Sequence, residues 1–120
     1  MKYLITESQI DNVIFKYLDN QDFLIYSNGK KFNRYTYFLN INKKYGIYFV
    51  NSEGDEYAQI RFDKDDGLCF ITKDLVNEIS SFFSIQDSDS RQVIGRWVEN
   101  TLKMKVKNTS YLPTALPMDS

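Results

Sequence analysis

Three short runs rich in aromatic and β-branched residues, KYGIYFV, YAQIRF and LCFI, follow one another across residues 44–71, separated by the turn clusters NSEGDE and DKDDG. Residues of this kind favour a pleated surface, and turns between successive runs imply a three-stranded antiparallel meander. Side chains alternate between the two faces of a strand. In the middle run Ala58, Ile60 and Phe62 therefore share one face, while Tyr57, Gln59 and Arg61 share the other. The first is a core face and the second is half wet. Such a sheet needs helices across its apolar side.

The chain supplies them on both flanks. Thr6-Glu7-Ser8-Gln9 has capping-box spacing, with Ile5 and Ile10 placed as a hydrophobic staple, and it opens a helix from Glu7 to about Asp19. Ile10, Val13, Ile14, Tyr17 and Leu18 form its inward stripe. After Ile71 the apolar period changes from two to about 3.6. Thr72 caps a helix from Lys73 to about Phe83, with Leu75, Val76, Ile79, Phe82 and Phe83 inward. Asp87 or Ser88 caps a further helix to about Leu102, whose buried stripe is Val93, Ile94, Trp97, Val98 and Leu102. The two form an αα-hairpin lying across the sheet, with Trp97 as its central plug.

Asp22 to Tyr26 and Lys31 to Ile41 read as a β-hairpin, because Asn28-Gly29 between them supplies the positive φ angles of a type I′ turn. Lys103 to Lys107 alternates Lys with Met104 and Val106, the pattern of an edge strand guarded by lysines, or alternatively of an extended last helix. The remaining NTSYLPTALPMDS holds both prolines and no periodicity. The expected architecture is a two-layer α+β domain over residues 1–108: an antiparallel sheet of hairpin plus meander, with an N-terminal helix and a C-terminal helix pair packed on it. Residues 109–120 follow as a loose tail.

A chain of 120 residues with 42% hydrophobic and 26% charged residues matches globular averages and departs from the disordered and membrane classes. No apolar run approaches the roughly 18 residues of a spanning helix. MKYLITESQ lacks the apolar core of a signal peptide, and the single Cys69 has no intramolecular partner, so a cytoplasmic product is expected. Ten Asn, nine Tyr and nine Phe against two Ala reflect AT-rich codons.

The net charge of −1 is unevenly spread. Residues 23–52 carry Lys30, Lys31, Arg34, Lys43 and Lys44 with no acid. Residues 53–66 hold six acids against Arg61 and Lys64, and residues 91–107 hold five basic residues against Glu99.

Histidine is absent, which removes the commonest general base and metal ligand. Cys69 falls in a buried strand, where a thiolate is disfavoured. Asp63-Lys64-Asp65-Asp66-Gly67 places its Gly fifth instead of sixth for a calcium loop and reads as a solvated turn. Glu53, Asp55 and Glu56 form an acidic turn with no apolar neighbour to raise a pKa, and no phosphate-binding glycine loop occurs. These features point to no enzyme, cofactor or metal.

One constellation stands out: the basic and aromatic hairpin of Lys30, Lys31, Phe32, Arg34, Tyr35, Tyr37, Phe38, Lys43 and Lys44. Cations beside aromatic platforms suit single-stranded nucleic acid, where stacking contributes about 1 to 3 kcal/mol per base. The competing reading makes Tyr35 and Tyr37 core residues and the lysines solubilising.

KYLITESQ, YFVNSEGDEYAQIRFD, EISSFFS and VIGRWVENTLKMKVKNT resemble a group of small uncharacterised proteins of marine bacteriophage and metagenomic origin. The resemblance covers residues 1–20 and about 45–109 and implies a phage or phage-like source and a host-cytoplasmic setting. It carries over no activity, ligand or site residue. The expected role is that of a non-enzymatic accessory protein with a macromolecular partner, a protein first and single-stranded nucleic acid second. Lys30, Lys31, Arg34, Tyr35, Lys43 and Lys44 are its candidate binding surface. No membrane is involved.

Overall fold

In the computed structural model, which describes residues 7–27, 30–31, 46–50, 57–112 and 116–117, the elements are α1 (Glu7–Asp19), β1 (Leu24–Ser27), β2 (Lys30–Lys31), β3 (Gly46–Val50), β4 (Tyr57–Asp63), β5 (Leu68–Thr72), α2 (Lys73–Phe83), α3 (Asp87–Leu102), β6 (Asn108–Leu112) and β7 (Leu116–Pro117). The fold is α+β. The three runs of the meander are β3, β4 and β5, each antiparallel to the next. β1 pairs antiparallel with β3, so the hairpin extends the meander on its β3 side. Ser27 lies opposite Lys30; the expected turn residues Asn28 and Gly29 lie outside the described residues, as do the expected staple and cap residues Ile5 and Thr6.

The sheet order is β2-β1-β3-β4-β5-β6, and β6 runs parallel to β5, so the sheet is mixed and not antiparallel throughout. The cause is the route of the chain. It leaves β5 at Thr72, passes through α2 and α3, and returns beside β5 by a crossover, which yields a parallel neighbour.

The edge strand also begins later than the alternating lysines suggest. Lys103 closes α3 in the left-handed conformation (φ 58°), with its N–H on the Glu99 carbonyl. Val106 N donates to Glu99 Oε1 at 2.9 Å, and Lys107 N to the Gly67 carbonyl at 2.7 Å. These bonds hold residues 103–107 as a turn and connector, and β6 is built from residues the sequence reading assigns to the tail and to Asn108. β7 then lies beside Tyr57 and Ala58 of β4, past the point where β5 turns away into α2.

The core joins the sheet to all three helices. Ile47, Phe49, Ile60, Phe62, Cys69 and Ile71 meet Ile14 and Leu18 of α1, Leu75, Val76 and Ile79 of α2, and Val93, Ile94, Trp97 and Val98 of α3. On β4 the expected alternation is present: Ala58, Ile60 and Phe62 are buried, while Gln59 and Arg61 are partly exposed. β3 departs from it, since Tyr48 and Val50 are buried as fully as Ile47 and Phe49. Two residues expected to face inward are exposed, Val13 at 54% and Phe82 at 66%. Phe82 lies at the margin of its helical stripe on the last turn of α2, where its neighbour is α1 and not the sheet.

Capping follows local chemistry with one correction. Thr72 Oγ1 accepts the Leu75 N–H and donates to Gln59 Oε1 at 2.5 Å. The N-cap of α3 is Gln86, without a side-chain cap bond, because Asp87 is drawn across to accept from Ser80 Oγ at 2.6 Å. Ser80 Oγ also meets the buried Ser90 Oγ at 2.7 Å, so a polar clasp joins α2 to α3. Among the described residues, no helix is long and apolar enough to cross a membrane.

Trp97 is 4% exposed, its ring 5.1 Å from that of Phe49 and 5.8 Å from that of Phe23. Its Nε1 donates to Asp19 Oδ1 at 2.9 Å. Trp97→Ala should cost about 3 to 5 kcal/mol, read from denaturant melts. Gly95 allows β6 to approach α3, since a Cβ there would stand 2.6 Å from Thr109 Cγ2. Gly95→Ala should cost about 1 to 3 kcal/mol through overpacking, with a folded spectrum retained.

Candidate functional site

Of the hairpin residues singled out by sequence, Lys30 and Lys31 form β2, opposite Ser27 and Tyr26 of β1. Arg34, Tyr35, Lys43 and Lys44 lie outside the described residues. The described part of the molecule concentrates exposed aromatic surface elsewhere, where α1 meets α2.

Tyr17, Phe82 and Phe83 form a closed trio of rings. Tyr17 and Phe82 have centroids 5.0 Å apart, Tyr17 and Phe83 5.5 Å, and Phe82 and Phe83 4.9 Å, the last two pairs near edge-to-face. Such contacts are each worth about 0.5 to 1.5 kcal/mol. Phe82 is thus held by two rings while two-thirds of it faces water. Tyr17 is fixed from its other end by donating a hydrogen bond to a Glu78 carboxylate oxygen. Partial burial, then that bond and the carboxylate charge, push the Tyr17 hydroxyl up to about 12.

The helix period organises the surroundings. Asp74, Glu78 and Phe82 are spaced four residues apart and all exposed, so they make one stripe along α2, acidic at its start and aromatic at its end. Val13, four residues before Tyr17, brings a further exposed apolar side chain on the same side of α1. Sequence reading places Phe82 and Tyr17 in the core, since an aromatic at stripe spacing has that use by default. The signal that separates Phe82 is its position in register with two carboxylates.

A second feature is an open groove of about 280 Å³ between α3 and the start of β6, lined by Gln92, Arg96, Glu99, Lys107, Asn108 and Thr109 among others. Three of its polar side chains are engaged within the protein. Arg96 makes a two-pronged pair with Asp11 at 2.7 and 2.9 Å, Glu99 accepts the Val106 N–H, and Asn108 Oδ1 accepts the Thr109 N–H. The groove is where α3 and β6 are stitched together.

The acidic turn after β4 is tight. The Asp63 carbonyl accepts from Asp66 N and Gly67 N at 3.2 and 2.8 Å, and Gly67 adopts φ +71°. Asp63 is paired with Arg61 at 2.8 Å, while Lys64, Asp65 and Asp66 face solvent. Among the described residues, no group of three or more acidic or sulfur ligands stands close enough to share a metal ion.

Cys69 is fully buried, and burial pushes its thiol from an ordinary 9.0 up to about 12. Burial likewise raises Tyr48 from 10.0 to about 12, the charge of Asp63 adding to the effect and that of Arg61 opposing it. From about 9 upward the unfolded chain loses protons that the folded chain keeps. Stability from these groups is therefore complete below that range and declines as pH rises towards 12. A disulfide reagent should label native Cys69 only as fast as the protein opens. In melts on either side of the free-thiol range, Cys69→Ala should show a shallower alkaline decline than the parent.

No protein-family model, no curated protein and no solved structure matches the chain.

Proposed function

We propose that this is a small non-enzymatic accessory protein of phage type, working in the host cytoplasm by docking on a partner protein. The observation that carries the proposal is Phe82, an exposed ring already immobilised by Tyr17 and Phe83. Binding energy concentrates in a few aromatic anchors, and an anchor that is ordered before contact loses little entropy on binding. Asp74 and Glu78, on the same stripe, select a partner whose apolar pocket is bordered by Lys or Arg. Phage-type origin rests on the resemblance of residues 1–20 and 45–109. The non-enzymatic assignment rests on the absence of histidine, a deeply buried thiol, and carboxylates spent on turns and ion pairs.

The test uses Phe82→Ala. The change removes two ring contacts from a mostly exposed side chain, so it should cost about 1 to 3 kcal/mol at most and leave the protein folded. It should nevertheless abolish retention of a host partner that the parent protein captures, and the loss should be reproduced with the purified partner. Glu78→Gln should slow association and flatten its salt dependence. The Lys30→Glu, Lys31→Glu, Arg34→Glu triple variant should bind that partner as the parent does. The opposite pattern would assign the hairpin as a nucleic-acid surface: salt-sensitive binding of a labelled single-stranded oligonucleotide, lost in the triple variant and untouched by Phe82→Ala.

A further inference from the structure

Among the described residues β6 ends the sheet order, and it carries no charged residue: Asn108, Thr109, Ser110, Tyr111 and Leu112. The lysines that would guard such an edge, Lys103, Lys105 and Lys107, fall just before the strand. An uncharged edge strand is a template for pairing with another chain, and proteins protect such edges with charges, prolines or cover. Asn108 N donates to the Gly67 carbonyl, which sets the phase of the parallel ladder. Alternate residues then face β5, and Thr109 and Tyr111 direct their main-chain groups to the open edge.

The groups of Thr109 are both occupied, in each case by a side chain. Arg91 of α3 donates from Nη1 to the Thr109 carbonyl at 3.3 Å, and Asn108 Oδ1 accepts the Thr109 N–H at 2.9 Å. The Arg91 guanidinium also lies over the Tyr111 ring, 4.9 Å from its centroid. We propose that Arg91, with Asn108, is the guard that keeps β6 from pairing with β6 of a second copy of this chain.

A second copy is the fitting occupant because the strand is compatible with itself. An antiparallel pairing about a two-fold axis at Ser110 sets Thr109 against Tyr111 and opposes no like charges. Threonine and an aromatic are a favourable cross-strand pair. The guard itself is lightly held. Its bond to Thr109 is long, and its Nε, shielded from water, has no hydrogen-bond partner among the described residues. Removing it therefore discards an unsatisfied donor as well as a bond, and the fold survives.

The experiment measures molar mass against concentration by light scattering and sedimentation for the parent, for Arg91→Ala/Asn108→Ala, and for the same double variant with Ser110→Lys. The parent should stay monomeric. The double variant should double in mass as concentration rises, with a folded circular dichroism spectrum. Ser110→Lys should return it to a monomer, because the lysines would face each other across the axis. Arg91→Gln, which keeps most of the side chain over Tyr111, runs in parallel and should dimerise more weakly. Folded monomers of the Arg91 variants at every concentration would overturn the proposal, as would a dimer that ignores Ser110→Lys.

Discussion

The seating of α3 on the sheet is the constraint from which the rest of the structure follows. Val93, Ile94, Trp97 and Val98 all enter the core, and burying side chains of this size contributes about 1.5 to 3 kcal/mol each. With α3 laid there, the chain re-emerges beside β5 and not beside β1, which makes β6 a parallel neighbour. Gly95 then sets how closely helix and strand approach, since only a residue without a Cβ leaves room for Thr109. Moving α3 off the sheet would separate Phe49 from Trp97, and no single polar contact among the described residues is large enough to offset that loss.

The polar contacts have a different part. Arg96 with Asp11, Trp97 Nε1 with Asp19, and Ser80 with Ser90 and Asp87 each tie one helix to another at a single angle. The Arg96 side chain is 36% exposed, so its ion pair is worth at most about 1 kcal/mol. Their common effect is directional: apolar burial decides that the helices cover the sheet, and these bonds decide how α1 lies relative to α3.

That division bears on function. The buried thiol is held neutral, and the carboxylates of Asp11, Asp19, Asp63, Asp87 and Glu99 serve helix docking, a turn and the connector to β6. What is left over for other molecules is on the outside: a rigid aromatic knob at the α1–α2 junction, an acidic stripe leading to it, and a guarded strand edge on β6. The docking role proposed above draws on the first two of these, and the proposed guard on the third.

The sequence by itself determined the local elements. The 3.6-residue stripes located α1, α2 and α3, and the aromatic and β-branched runs located β3, β4 and β5, because both patterns are set by how one segment presents its own side chains. The turn at Asp63 to Gly67 and the Thr72 cap belong to the same class. The tertiary structure alone decided which end of a stripe is covered, so that Val13 and Phe82 face water although their spacing matches that of Ile14 and Ile79. It also decided that β6 starts at Asn108: alternation marks Lys103 to Lys107 as a strand, yet Glu99 in the last turns of α3 and Gly67, distant in sequence, capture that segment's N–H groups and pass the pairing on to the next five residues. The candidate surface follows the same rule, since a ring at core spacing is left exposed only where the fold ends beside it.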